Sequence, residues 1–515
     1  MPDWTYHPLR PLATAVLGER RTQVLALRFL AALIRHAGGR RWIPVVFDHP
    51  TPLPEWSGRF GASVPPWIAR EAITVLPVQG AGVIEINPVR ISDVELVRRA
   101  AAGRRCRVTA VADSVEVCDA IAGDVDAVSI GNPADTVRLS TPNLAAAIEA
   151  LADPSTTVLA TPPVLVAAGP GWFNRVIEAA TPTSPPAPWR DISADPRRWP
   201  GWLWAALVGV GLIVAGAGAA AITLGPVLLW YDRDYLGASV SDLHHFNRHL
   251  VGFLQHDRIT MAGNMIGIGI LYLGLAQQMR QGYRWARRAL LISGLVAFLS
   301  YFYFLGTGFV EPLHTLVVIV LFPMLLLAVW RGPADPHWPP IAEGPEPQRR
   351  RALWGQLLMI GVGAGLAVAG AVISMVGLTS VFVPTDLDFL GTHAEHLRAA
   401  DAHLLPFIAH DRAGFGGALV GAGLAVLLIS MWGWRRGQRW VWWCLLLGCA
   451  FGTVPVLVVH FAIGYTHLEH LLPVYVLVVA TATSLVLSKD YLTARNGYRA
   501  GPVTWEMARR PRGTA

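Results

Sequence analysis

Beyond residue 200 this 515-residue chain carries eight apolar segments near or above bilayer-spanning length: about 201–230, 259–279, 289–306, 313–330, 354–383, 413–433, 441–463 and 468–488. A helix needs about 20 mostly apolar residues to cross the hydrocarbon core, so this part is expected to be an all-α, multi-pass membrane domain of eight transmembrane helices. The formal net charge of +7 would fit a nucleic-acid partner, but the arginines flank the apolar segments, so the expected partner is the lipid bilayer and no nucleic acid. Seventeen basic residues fall in alternate connections and the C-terminal tail, among them Arg284, Arg288, Arg350, Arg436 and Lys489, against five on the opposite side. The positive-inside rule then puts both termini in the cytoplasm, with the chain in the cell membrane. The opening MPDWTYHPLRPL has no apolar core of a secretory signal, and four cysteines make no disulfide framework.

The first 200 residues read differently. VIEIN (83–87), RVTAV (107–111), DAVSI (126–130) and TTVLA (156–160) are short β-rich runs. VELVRRAAA, SVEVCDAIA and NLAAAIEALA between them have helical apolar spacing, which predicts βα units on a parallel sheet. The organisation expected is an amphipathic helical hood (1–40), an α/β domain (41–180), a Pro-rich linker (181–200), four spans (201–330), a cytoplasmic linker (331–352), four more spans (353–488) and a cytoplasmic tail (489–515). In the α/β domain, AAGPGWFNRVIEAA (167–180) sets Gly169 and Gly171 before a helix, whose N-terminus suits a phosphate.

The membrane half repeats itself. YDRDYLG (231–237) recurs as TDLDFLG (385–391) and HLVGFLQHDR (249–258) as HLLPFIAHDR (403–412), both at an offset of 154. RQGYRW (280–285) recurs as RRGQRW (435–440), and His314 is matched by His470. Each copy has four spans, so the two are expected to be parallel repeats about an axis along the membrane normal. Twelve of sixteen histidines fall at the outer face, His460 and His467 among them. The residues matched between copies are His249, His256, Asp257 and His314 against His403, His410, Asp411 and His470, with the acids Asp232 and Asp234 against Asp386 and Asp388. Imidazoles and carboxylates at one level suit a metal ion, or two axial histidines on a haem. They equally suit a proton relay. No HExxH-type ligand set is present, so metal identity stays open. The plainer alternative is that the aspartate of each HDR caps the helix entering its span while the arginine reaches for headgroups.

The opening stretch YHPLRPLATAVLGERRTQVLALRFLAAL resembles the N-terminal hood of the membrane-associated, quinone-linked dihydroorotate dehydrogenases, and residues 5–145 carry the resemblance. GAGVIEINPV (80–89) looks like that family's glycine-rich strand near the flavin, and ADTVRLSTPN (134–143) like its substrate-binding strand and loop. The resemblance implies a TIM-barrel-like fold, FMN and quinone as cofactor and partner, and binding roles for Ser140, Pro142 and Asn143. The chain departs from it in three ways: Arg138 replaces the first asparagine, the domain is shorter than a barrel of about 250 residues, and residues 1–488 contain no lysine to hold a flavin or a carboxylate. A partial barrel that has lost dehydrogenase chemistry is therefore expected. The leading functional expectation is a membrane module with an outer His/Asp site for metal, haem or quinone, serving transport or electron transfer. The alternatives are a live flavin dehydrogenase that oxidises dihydroorotate with quinone, and a non-catalytic scaffold.

Overall fold

The computed structural model describes residues 3–36, 39–46, 55–169, 171–180, 192–330 and 344–494. Most of the Pro-rich linker, the 331–343 part of the cytoplasmic linker and the tail beyond residue 494 lie outside the described residues. The chain divides into two units, the first built mainly from residues 1–183 and the second from 184–337 and 355–494.

The first unit opens with three helices, α1 (Asp3–Leu17), α2 (Glu19–Arg35) and α3 (Gly39–Val46). Six strands follow: β1 (Phe60–Val64), β2 (Val83–Val89), β3 (Arg107–Ala112), β4 (Ala127–Ile130), β5 (Thr136–Leu139) and β6 (Thr157–Ala160). Between and after them come α4 (Ala69–Val75), α5 (Val94–Ala101), α6 (Val115–Ile121), α7 (Leu144–Ala152), α8 (Pro162–Ala168) and α9 (Trp172–Ala180). All strand pairs are parallel, in the order β4-β3-β2-β1-β6-β5. This is the cyclic order of a βα barrel opened between β4 and β5, a half-barrel sheet. The break falls where only residues 131–135 join two strands, too few for the crossover that parallel neighbours require. The four strands and three helices expected from the sequence are all present. β5 (TVRL) falls in the stretch ADTVRLSTPN, read through the resemblance as a strand and loop, and β1 (FGASV) is an addition.

Inside this sheet Glu85, 2% exposed, accepts hydrogen bonds from Ser63 Oγ (2.7 Å), Asn87 Nδ2 (3.2 Å) and, bidentately, Arg138 Nε and Nη2 (2.9 and 2.5 Å). Breaking a buried ion pair by removing one partner costs about 3–5 kcal/mol, because a charge is left without compensation. Arg138→Met is therefore expected to lower the thermal midpoint followed by circular dichroism, and adding Glu85→Gln should recover part of the loss.

The second unit is helical. Among the described residues, eight helices are long and apolar enough to cross a membrane. In chain order with the short helices between them they are α10 (Gly201–Leu224), α11 (Trp230–Leu236), α12 (Val240–Phe246), α13 (Leu250–Arg280), α14 (Arg284–Leu299, continued by a 3-10 turn to Tyr303), α15 (Phe304–Thr307), α16 (Pro312–Trp330), α17 (Glu346–Leu378), α18 (Pro384–Leu390), α19 (Ala394–Ala400), α20 (Leu404–Trp432), α21 (Arg439–Ile463) and α22 (Leu468–Leu492). Such a set fits a multi-pass membrane protein. α13 and α20 are the central helices: 72% of their most apolar window is buried, against 17–44% in the other six. Small residues let the neighbours approach closely. A Cβ on Gly267 would stand 2.7 Å from the carbonyl oxygen of Gly448, and one on Gly370 2.6 Å from that of Gly416.

Candidate metal centre and its paired cavity

Both HDR triplets lie inside α13 and α20 rather than at their starts. The helices begin at Leu250 and Leu404, six residues earlier, about 9 Å along the axis. Neither Asp257 nor Asp411 is a helix cap, which corrects the capping alternative. The helices run through these charges because the charges are buried against one another. Arg258 Nε donates to Asp411 Oδ2 (2.7 Å), and Arg412 Nε to Asp257 Oδ2 (3.3 Å), so each triplet's arginine pairs with the other's aspartate.

The surroundings run in parallel. Arg258 Nη1 donates to the carbonyl of Val227 (2.7 Å) and Arg412 Nη1 to that of Val381 (3.1 Å). Both valines sit at positive φ, 60° and 67°, a conformation costly for a β-branched residue and one that clusters at functional sites. Arg258 lies over the Phe407 ring and Arg412 over the Phe253 ring, 4.9 and 5.0 Å to the centroids. The capping aspartates are instead Asp232 and Asp386, which accept from Leu229 N (3.0 Å) and Val383 N (2.8 Å). Each also meets an arginine: Asp232 lies 3.8 Å from Arg258, and Asp386 accepts from Arg412.

On the Arg412 side, His256 of α13, His460 of α21 and His470 of α22 converge, one nitrogen of each lying within 4.8 Å of the others. Among the described residues this is the one such group of His, Cys, Asp or Glu. The hydrogen bonds fix the tautomers. His460 Nδ1 is 2.7 Å from the Val456 carbonyl, which only accepts, so Nδ1 carries the proton; Nε2 is left with its lone pair, buried and without a partner. The Tyr465 hydroxyl donates to Asp386 Oδ1 (2.8 Å), so at 3.1 Å it accepts from His470 Nδ1, again leaving Nε2 with its lone pair. His256 Nδ1 lies 3.1 Å from Asp257 Oδ1. Hydrogen bonds therefore run Asp257–Arg412–Asp386–Tyr465–His470, and His256 stands beside the Asp257 end with its Nδ1 buried and without a hydrogen-bond partner. Burial and the charge of Asp386 hold the Tyr465 phenol above its ordinary pKa, so it stays protonated as this chain requires. The three imidazoles open on a cavity of about 380 Å³ that also takes in Thr260, Asn264 and Thr453. Asp257 and Arg412 complete its polar end, and the remaining walls are apolar and include the half-exposed Val372 of α17.

On the Arg258 side lies a second cavity, of about 230 Å³, whose polar end holds Tyr231, Asp232, Arg258, Glu311, His314 and His410. The His314 and His410 rings are 6.0 Å apart, centroid to centroid. Glu311 is engaged elsewhere: it accepts from the Tyr231 hydroxyl and from the backbone N–H of His314. Burial raises the pKa of the Asp232 carboxyl, against the opposing pull of Arg258.

Of the residues singled out from the sequence, His256, Asp257 and His470 thus meet in one cavity and His314, His410 and Asp411 in the other. His249 and His403 stand just before α13 and α20, their rings tilted against those of Phe389 (4.8 Å) and Tyr235 (4.9 Å). Asp234 and Asp388 are exposed. In the first unit, the Gly171 N–H donates to Asp3 Oδ1 (2.9 Å), so the carboxylate facing that loop belongs to the chain itself, and a Cβ on Gly169 would stand 2.7 Å from the same oxygen. Asn143 caps α7 through Ala146 N (3.1 Å), and Ser140 is exposed. His460, named among the outer-face histidines, and Tyr465 have no counterpart of their own kind: at the 156-residue offset of His314 and His470 they are matched by Phe304 and Phe309. The chain matches no protein-family model, no curated protein and no solved structure.

Proposed function

We propose that the membrane half is a duplicated four-helix module holding one transition-metal ion on His256, His460 and His470, with its open coordination positions turned to an amphipathic molecule dissolved in the bilayer. The observation that carries this is the convergence of three imidazoles, two of which the hydrogen bonds leave neutral with a free Nε2. Metal-ligating histidines characteristically pass their other ring nitrogen to a carbonyl or carboxylate, as His460 does to Val456. A zinc–imidazole bond is about 2.0–2.1 Å, so small ring rotations would close the set onto one ion. Three protein ligands leave room for a fourth group, the usual arrangement of a reactive site. Haem fits less well, since its macrocycle must separate two imidazoles and a third at the same distance takes that space. The apolar cavity favours a lipid-like or quinone-like reactant over a free ion as cargo. Imidazole suits zinc, copper and iron alike. The crossed Arg–Asp pairs support the duplication, and the arginine distribution supports cytoplasmic termini.

The half-barrel unit we read as a relative of the quinone-linked dihydroorotate dehydrogenases that no longer carries their chemistry. The cyclic strand order supports kinship. The Arg138–Glu85 pair inside the sheet and the absence of lysine before residue 489 support the loss. The detergent-purified protein is expected to show no flavin absorption and no dihydroorotate-dependent reduction of a quinone analogue. A flavin spectrum bleached by dihydroorotate would overturn this part of the reading.

A further inference from the structure

Around their capping aspartates the two cavities are built alike, with one difference that bears on Asp232. The Tyr465 ring lies against Phe389 (4.6 Å) and His256 (5.8 Å), as the Phe309 ring lies against Tyr235 (4.4 Å) and His410 (5.1 Å). On the first side the tyrosine hydroxyl reaches Asp386 Oδ1. On the second, phenylalanine brings no hydroxyl, and Asp232 Oδ1 is buried with no hydrogen-bond partner. Asp232 is only 2% exposed and stands in the wall of the 230 Å³ cavity. A buried carboxylate oxygen without a donor is costly, and a donor supplied to it gains correspondingly.

We propose that this cavity binds a bilayer-dissolved amphiphile whose hydroxyl donates to Asp232 Oδ1, taking the place that the Tyr465 hydroxyl takes in the paired cavity. The head is small: the volume lies below the roughly 300–1,000 Å³ of drug-sized ligand sites, which suits one ring or a glycerol-sized group. The tail is apolar, because Leu316 and Leu313 line the cavity and are 55% and 40% exposed on the outside of the bundle, where a chain can leave sideways. The shared chemistry is a hydroxyl on an apolar tail, whether it comes from a quinol or from a lipid alcohol. This inference rests on the likeness of the two cavities and not on the metal.

The test is binding to the detergent-purified full chain of three probes: a decyl-substituted hydroquinone, its dimethyl ether and a monoacylglycerol. One of the two hydroxyl compounds should bind at one per chain, and which of them binds tighter identifies the source. The ether, which cannot donate, should bind roughly tenfold or more weaker than the hydroquinone if the quinol is the occupant. Phe309→Tyr supplies the missing hydroxyl from the protein, so it should weaken binding of the preferred compound by a similar factor. It should also melt no lower than wild type and keep its metal content. Should the variant fail to fold, Leu313→Trp, which fills the cavity mouth, should abolish binding. Absence of binding by both hydroxyl compounds would overturn the proposal, as would binding unchanged in Phe309→Tyr. Metal content read on the same samples separates either failure from a failure of the metal reading.

Discussion

Replacing Arg412 by methionine is expected to destabilise the membrane half by about 3–5 kcal/mol, seen as a large drop in the thermal midpoint in detergent. Arg412 lies between Asp257 and Asp386, and all three side chains are at most 6% exposed. Its removal leaves two carboxylates facing each other in a poorly solvated interior, where neither salt nor water screens them. The cost belongs to the broken set rather than to the absence of charge. Asp257→Leu and Asp386→Leu added to Arg412→Met should recover most of the midpoint, as apolar replacements of buried ion clusters do. The triple variant should nonetheless bind metal roughly 10- to 100-fold more weakly, because Asp257 and the Asp386–Tyr465 pair stand behind His256 and His470. If stability and metal affinity recovered together, the polar chain would have no part in holding the imidazoles.

Loss of a ligand should act more strongly than loss of its support. His460→Ala is expected to lower metal affinity by more than the roughly 10- to 100-fold attached to an outer-shell partner, with little effect on the melt of the metal-free protein. The reason lies in its bonding: one nitrogen faces the Val456 carbonyl within its own helix, and the other has no protein partner to lose. His410→Ala, in the other cavity, serves as the comparison. Its Nδ1 bonds the Phe309 carbonyl (3.0 Å), so the change should affect stability while metal content stays at the wild-type level. Equal metal loss in both variants would favour a shared or two-ion site. Affinity is read by competition with a chelator of known strength, on protein stripped and reloaded.

The sequence shows the spans because long apolar runs have few other uses, and it shows the HDR pairing because a fixed offset survives in the text of the chain. It does not show where the helices begin. The apolar runs stop at Asp257–Arg258 and Asp411–Arg412, so spans counted by hydropathy start at about 259 and 413, whereas α13 and α20 start at Leu250 and Leu404. Charges interrupt a hydropathy pattern whether they face water or each other. Only tertiary pairing tells the two apart, and the crossing of Arg258 to Asp411 depends on how two helices register, which no periodicity encodes. His460 and Tyr465 are invisible to a search for matched residues because Phe304 and Phe309 stand at the corresponding offset. In the half-barrel, β1 (FGASV) is small-residue-rich with one β-branched position, a weak strand pattern. It is nevertheless wholly buried between β2 and β6.

Whether an ion sits on the three imidazoles is read from X-ray absorption at the metal edge of the purified protein. The expected result is about one metal per chain, with three nitrogen scatterers at about 2.0–2.1 Å if the ion is zinc, imidazole multiple scattering, and one or two further oxygen or nitrogen neighbours. In His460→Ala the imidazole signal should fall by a third or vanish with the metal. Protein that binds no metal after reloading, or an ion surrounded by oxygen alone and unaffected by His460→Ala, would contradict it.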